Sequence, residues 1–329
     1  MRGTLTDSYG RTLDYLRLSV TDRCNFRCYY CMPEEGIDFV QRKDLLSYEE
    51  LDYLCTLFLS LGVKKIRITG GEPFVRKGIM DFLTQLSRHP ELKEITLTSN
   101  GSISNSQIKQ LATLGIRKIN ISLDSLDRQR FYQITRRDRF EEVFACILKL
   151  VEEGFLVKLN CVVDGNKNTE DILPFVKLTE TQPISVRFLE EMPFNGTGSF
   201  VPPTWNHIAL FDYIKGHFPD LVKVPDEKNS TSVNYRVPGY AGSFGIIPAF
   251  SRTFCGTCNR IRLSATGELR TCLYGPPVAN LRDVLRSGMT EALLVEEIVQ
   301  AVARKAKDGF EAEAQSKKIP KKSMSFLGG

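Results

Sequence analysis

No apolar run of the ~18 residues needed to cross a bilayer occurs anywhere in this 329-residue sequence. The first thirty residues, MRGTLTDSYGRTLDYLRLSVTDRCNFRCYY, lack both an apolar h-region and a small-residue cleavage pattern. Neither a membrane partner nor export is therefore expected, and the sequence reads as cytoplasmic. There is no G-x-x-x-x-G-K-[ST] stretch, so a nucleotide would not be gripped as in a P-loop ATPase and its hydrolysis is not the expected reaction. No low-complexity linker divides the chain. A strong charge excess is missing too, with 44 Lys+Arg against 39 Asp+Glu. That is too little to mark a nucleic-acid binder, but it suits an anionic small molecule if the basic groups converge.

Cysteine is abundant by contrast, with nine in a chain without an export signal. Cytosolic thiols stay reduced, so this count points to metal or catalytic use rather than to disulfides. Cys55, Cys146 and Cys161 stand among apolar residues at helix or strand periodicity and read as packing thiols. The other six fall into two tight groups.

From residue 15 to 191, β-like segments alternate with amphipathic ones: YLRLSV, KIRITG, EITLTS, KINISLD, LVKLNCVV and ISVRFLEE are separated by stretches at helical spacing. One of these stretches opens with Ser47 and Glu50, a capping-box signal, and stops at Gly62. The alternation predicts an α/β fold, an incomplete (β/α)6 TIM-like barrel over residues 1–195, with a C-terminal α+β extension over 196–329 covering its open side. Within the strands one face is apolar, and the other carries Arg17, Ser19, Arg67, Thr69, Thr96, Thr98, Asn120, Ser122, Asp124, Lys158, Asn160 and Arg187. Such a polar set lines either a wet cavity or a solvent-facing sheet, and a parallel sheet exposed on one side is uncommon. The final KKIPKKSMSFLGG is basic and reads as a mobile tail without structure of its own.

The first cysteine group, TDRCNFRCYYCMP, places Cys24, Cys28 and Cys31 on a loop directly after the first strand. Three thiolates leave a four-coordinate metal incomplete, and none of the three histidines, His89, His207 and His217, is near the loop in sequence. A 4Fe-4S cubane held this way has one iron free to bind a small molecule. The pattern C-x3-C-x2-C with an aromatic before the last cysteine resembles that of the radical S-adenosylmethionine enzymes. That resemblance implies a 4Fe-4S cluster on these three cysteines and S-adenosylmethionine chelated at the open iron. It also implies S-adenosylmethionine contacts from Tyr30, from Gly71 in TGGEP, from Ser122 and from Met192.

The second group, Cys255, Cys258 and Cys272, is again three. It fits a zinc knuckle completed by a carboxylate such as Glu268, or a second cluster with an open iron. Between its cysteines Arg260 and Arg262 point the same way if NRIR is a strand. With Arg17, Arg67 and Lys158 they form a convergent set of cations that suits a triphosphate. Together DRCNFRCYYCMP, IRITGGEP, TSNG, NISLD, RFLEEM, CGTCNRIRLSATG and LGG resemble the GTP-cyclising branch of the family, at the start of molybdenum-cofactor synthesis. This resemblance implies that Arg17, Arg67, Thr98, Lys158, Arg260 and Arg262 bind GTP. It further implies that guanine meets the open iron of a second 4Fe-4S cluster, and that Arg17, Arg260, Arg262, Gly328 and Gly329 serve catalysis. A low-potential one-electron donor, a homodimer and hand-over to cyclic pyranopterin monophosphate synthase follow from it as expectations.

Overall fold

The computed structural model describes residues 3–198, 200–316 and 323–328. Six parallel strands pair in sequence order, as the alternation predicts: β1 (Tyr15–Ser19), β2 (Lys65–Thr69), β3 (Glu94–Ser99), β4 (Lys118–Ser122), β5 (Leu156–Val163) and β6 (Ser185–Glu190). The helices between them are α1 (Tyr48–Ser60), α2 (Ile79–Leu86), α3 (Asn105–Thr113), α4 (Arg128–Thr135), α5 (Phe140–Glu152) and α6 (Ile172–Thr181). α1 starts at the capping box read from the sequence: Glu50 N–H donates to Ser47 Oγ at 3.1 Å, and Ser47 N–H donates to the Glu50 carboxylate at 2.7 Å. The sequence reading passed over α4. Its buried Phe131 and Ile134 are flanked by arginine and glutamine that look like linker, while Asp127 caps its start by accepting from Arg130 N–H.

The apolar strand face is the core. Leu16, Leu18, Ile66, Ile68, Ile121 and Leu159 are fully buried, each stabilising the fold by about 1.5–3 kcal/mol. Cys55, Cys146 and Cys161 lie in the same core. Much of the polar face is shielded from bulk solvent: Ser19, Thr69, Thr96 and Asp124 are no more than 2% exposed, while Arg17, Arg67 and Lys158 are half-buried. It lines the interior of the partial barrel.

Beyond covering that interior, the chain after β6 lengthens the same sheet at both edges. It supplies β7 (Val222–Lys223), β8 (Val233–Arg236), β9 (Ser243–Ile247), β10 (Arg260–Leu263), β11 (Glu268–Arg270) and β12 (Ala279–Asn280). β10 lies parallel beside β1 and β9 parallel beside β6. The strand order is therefore β12-β11-β10-β1-β2-β3-β4-β5-β6-β9-β8-β7, an open sheet rather than a closed barrel. A buried carboxylate bolts this segment to β6: Glu190 accepts from His207 N–H at 2.7 Å and from Ser251 N–H and Oγ–H at 2.7 and 2.8 Å, and lies 3.0 Å from His207 Nδ1.

Residues 323–328 correct the sequence reading of the tail's end. Met324–Leu327 form a helical turn, capped by Ser323 accepting from Ser325 N–H. Leu327 packs with Phe194 and Tyr274, and Met324 N–H donates to the Phe194 carbonyl at 2.9 Å. The burial of one leucine and the backbone bond to residue 194 give it the anchorage that composition alone did not reveal. Residues 317–322, the basic half of that tail, and Gly329 lie outside the described residues. Among the described residues no helix is long and apolar enough to cross a membrane.

Candidate active site

Register builds the cation cluster. Arg17 stands opposite Arg262 on one side and Arg67 on the other, so three guanidiniums form one row across β10, β1 and β2. The next row holds Arg260, Tyr15 and Lys65, and Lys158 lies opposite Asn120 on β4. Arg260 and Arg262 are buried; Arg17, Arg67 and Lys158 are half-buried. Among the described residues none of these five pairs with a carboxylate; their contacts are to neutral or phenolic groups. Arg67 Nε donates to Tyr15 Oη and Arg67 Nη1 to Thr98 Oγ1 at 3.4 Å. Arg262 Nη1 donates to the Gly328 carbonyl at 3.3 Å, and Arg260 Nη2 to the Asn229 carbonyl at 3.4 Å.

The crowding shows in the titration of these groups. Burial, and then Arg262 nearby, hold Arg17 well below its ordinary value. Burial and Arg260 bring Arg262 down to about 10. Burial and Arg187 bring Lys158 down to about 8. For Tyr15, burial raises the phenol, but Arg67, Arg17 and Lys65 outweigh it and leave it at about 8. Arg17 Nε, Thr96 Oγ1, Asn160 Oδ1 and Arg187 Nε are buried with no hydrogen-bond partner among the described residues. A chamber with several unpaired cations and orphaned polar atoms is built for a polyanionic, hydrogen-bonding ligand.

The first cysteine loop sits at the end of β1. Cys24 Sγ receives Asn100 Nδ2–H at 3.7 Å and Phe26 N–H at 3.4 Å, while Cys31 Sγ lies 3.8 Å from Ser323 Oγ. Arg27, Arg136 and Arg137 tie down the loop carbonyls of Cys24, Arg27 and Asn25. Burial is the main cause that pushes Cys24 up to about 12, and it raises Cys28 and Cys31 as well. Such thiols become good ligands only with a metal centre to offset their charge.

Gly71 supports this loop directly. Its N–H donates to the Thr21 carbonyl at 2.8 Å, and a Cβ there would lie 2.3 Å from the Arg23 carbonyl oxygen, so only glycine fits. Glu72 next to it is fully buried, accepts from Asn100 N–H at 2.6 Å and Ser99 Oγ–H at 3.0 Å, and is raised to about 7 by burial. Of the other expected S-adenosylmethionine contacts, Tyr30 Oη donates to Asp124 at 2.8 Å. Ser122 ends β4 opposite Asn160, and Met192 packs beside Phe194 and Leu327.

In the second group Cys255 lies on a short 3-10 turn, Cys258 just before β10, and Cys272 just after β11. For Cys258 burial is outweighed by Lys305 and Arg260, which bring the thiol to about 7. Glu268, the carboxylate a zinc knuckle would need, is held by Arg270 at 3.0 Å. Among the described residues no three His, Cys, Asp or Glu side chains converge on a single metal ion. Lys305 and Arg260 thus give these thiols cationic surroundings, which suit a negatively charged metal centre.

The tail joins the two groups. Ser323 Oγ donates to the Cys31 carbonyl at 2.6 Å, and the Gly328 carbonyl accepts from Arg262 and from Thr69 Oγ1 at 3.2 Å. A separate cavity of about 200 Å3, lined by Ile208, Phe211, Val233, Tyr235 and Ile246, contains none of these groups. Sequence reading missed Tyr15, Glu72, Asn100 and Lys305. Parity with Arg17 marks Tyr15, and membership of TGGEP and TSNG marks Glu72 and Asn100. Lys305 carries no signal, since in ARKAKDG it looks like a solvated helix end.

Two family descriptions match: the Radical SAM superfamily over residues 18–179 and Molybdenum Cofactor Synthesis C over 184–311. Native anSMEcpe with bound AdoMet shares the fold at a TM-score of 0.59 and 16% identity, over 93% of this chain and 82% of that one. The chain belongs to the radical SAM superfamily. Within it the chain belongs to the GTP 3′,8-cyclase family. It is 38% identical to "GTP 3′,8-cyclase" of Petrotoga mobilis, over 99% of this chain and 100% of that protein. To "GTP 3′,8-cyclase, mitochondrial" of Arabidopsis thaliana it is 39% identical, over 99% and 83%. It is also 44% identical to "Molybdenum cofactor biosynthesis protein 1" of Bos taurus, over 92% of this chain but 48% of that protein. The chain thus spans about half the length of that animal relative.

Proposed function

We propose that this chain is a GTP 3′,8-cyclase, converting GTP to 3′,8-cyclo-7,8-dihydro-GTP at the start of molybdenum-cofactor synthesis. The observation that carries this is the register row Arg262, Arg17, Arg67, free of carboxylates among the described residues, with the Gly328 carbonyl against Arg262. Bound at Cys24, Cys28 and Cys31, a 4Fe-4S cluster with S-adenosylmethionine supplies the one-electron chemistry that removes the C3′ hydrogen of the ribose. Tyr30, Gly71, Ser122 and Met192 would frame the S-adenosylmethionine. Arg17, Arg67, Lys158, Arg260 and Arg262, with Thr98, would hold the triphosphate and ribose and so fix the orientation of C3′ in the chamber. Cys255, Cys258 and Cys272 would hold a second cluster against the guanine.

In the overall change a first electron would split S-adenosylmethionine into methionine and the adenosyl group, which would leave as 5′-deoxyadenosine carrying the C3′ hydrogen, and C3′ would bond to C8. One electron and one proton then complete the dihydro ring. A low-potential one-electron donor, a homodimeric assembly and a cyclic pyranopterin monophosphate synthase downstream belong to the same reading.

The test is anaerobic reconstitution followed by turnover of GTP deuterated at C3′. About eight irons per chain, deuterium in 5′-deoxyadenosine, and loss of both products in Cys24→Ala are expected. Zinc without iron, or deoxyadenosine free of deuterium, overturns the reading.

A further inference from the structure

Lysine is among the residues least often buried, yet Lys305 is only 3% exposed. It follows the helix Glu291–Ala303, whose end is fixed by Arg11: Nη2 donates to the Ala306 carbonyl and Nη1 to the Lys307 carbonyl, both at 2.6 Å. The ammonium donates to the Thr271 carbonyl and, at 3.2 Å, to the Arg260 carbonyl, and it stands 3.8 Å from Cys258 Sγ. These three contacts match the three protons of an ammonium. Among the described residues it pairs with no carboxylate, and a buried charge left without a negative partner is costly.

We propose that Lys305 is a positioning residue of the second cysteine group. It ties the separate segments carrying Cys258 and Cys272 together and fixes a positive charge against the Cys258 sulfur, which raises the reduction potential of the centre bound there. Lys305 has this role on the reading, proposed above, that Cys255, Cys258 and Cys272 bind a cluster. Thr271 precedes Cys272 and Arg260 lies just beyond Cys258, so one ammonium braces both arms of the group.

The first group has no counterpart among the described residues, where the sulfur contacts come from neutral donors, Asn100 on Cys24 and Ser323 near Cys31. Charge and hydrogen bonds at the sulfurs are main determinants of cluster potential. A fixed cation favours the more negative, reduced state. The two centres are thereby given different potentials by the protein itself.

The experiment uses the full chain with Cys24, Cys28 and Cys31 replaced by alanine, so that only the second centre titrates. Iron content and an anaerobic redox titration followed by electron paramagnetic resonance are measured with Lys305 intact, in Lys305→Met and in Lys305→Arg. About four irons are expected with Lys305 intact. In Lys305→Met, at least tenfold less of the centre is reduced relative to oxidised at the parent midpoint, equivalent to ~59 mV for one electron. Lys305→Arg, which keeps the charge, stays close to the parent. Iron loss in Lys305→Met alone also supports the bracing role. An unmoved potential with full iron in Lys305→Met, or equal iron loss in both variants, overturns the inference while leaving the cluster reading intact. No iron with Lys305 intact removes the cluster reading, and the inference with it.

Discussion

Arg17 and Arg262 stand in register on adjacent parallel strands, β1 and β10, and no carboxylate pairs with either among the described residues. Like charges held this close destabilise the ligand-free fold, and a bound polyanion relieves them. GTP or inorganic triphosphate is therefore expected to raise the melting temperature, by a stabilisation of about 2.7 kcal/mol at a hundredfold excess over Kd. Arg17→Leu is expected to melt higher than the parent without ligand and to lose most of the response to triphosphate. Thermal scanning at low salt checks both, and a ligand-free Arg17→Leu that melts lower would contradict the account.

Substrate affinity is expected to fall above pH 8. Lys158 has been brought down to about 8, so it loses its positive charge as pH rises through that value, and Tyr15 gains a negative charge in the same window. Both changes remove positive charge from the chamber, and Kd for GTP should rise by up to roughly tenfold per pH unit for each proton involved. Stability of the ligand-free fold has the opposite sign. Between about 8 and 10.5 the unfolded chain holds the Lys158 proton more tightly, so the penalty for burying that charge fades as pH rises. Equilibrium binding from pH 6.5 to 9.5 decides it: a flat wild-type profile, or an unchanged one in Lys158→Arg with Tyr15→Phe, counts against these two groups.

Gly328 occupies the left-handed region at φ +75°, and a Cβ there would lie 2.8 Å from both Ser19 Cβ and Thr69 Oγ1. Gly328→Ala is expected to weaken docking of the tail by about 1–2 kcal/mol from backbone strain alone, leaving the main melting transition in place. Hydrogen–deuterium exchange over residues 323–328 should speed up several-fold while β1 and β2 stay protected. Unchanged exchange in the tail would mean that the collision is absorbed elsewhere.

Much of the fold can be read from the strand parity of LRLS, IRIT and INIS, which marks the core face and the inward polar face without any tertiary information. Within the site the spacing of Cys24, Cys28 and Cys31 is local and legible, as is the adjacency of Arg260 and Arg262. What escaped depends on distant pairing. Tyr15 acquires its surroundings only when β10 and β2 flank β1, and Glu72 acquires its role only when Asn100 folds over it. Lys305 is buried because Arg11, almost three hundred residues earlier, fastens the carbonyls after it. Residues 323–328 were misread for a related reason: so short a stretch has no periodicity, and its order comes from contacts with Phe194 and Tyr274.

The position of β10 also affects how the molecule is made. β1 leaves the ribosome early, but the neighbour that completes its outer edge is synthesised about 245 residues later, roughly 10 to 50 s afterwards at ordinary translation speeds. Throughout that interval the nascent sheet has an unpaired parallel edge, the kind of surface that captures other chains. Slow release from protective chaperones, or loss of yield when synthesis stalls before residue 260, is the burden that accompanies a chamber closed by its own last-made strands.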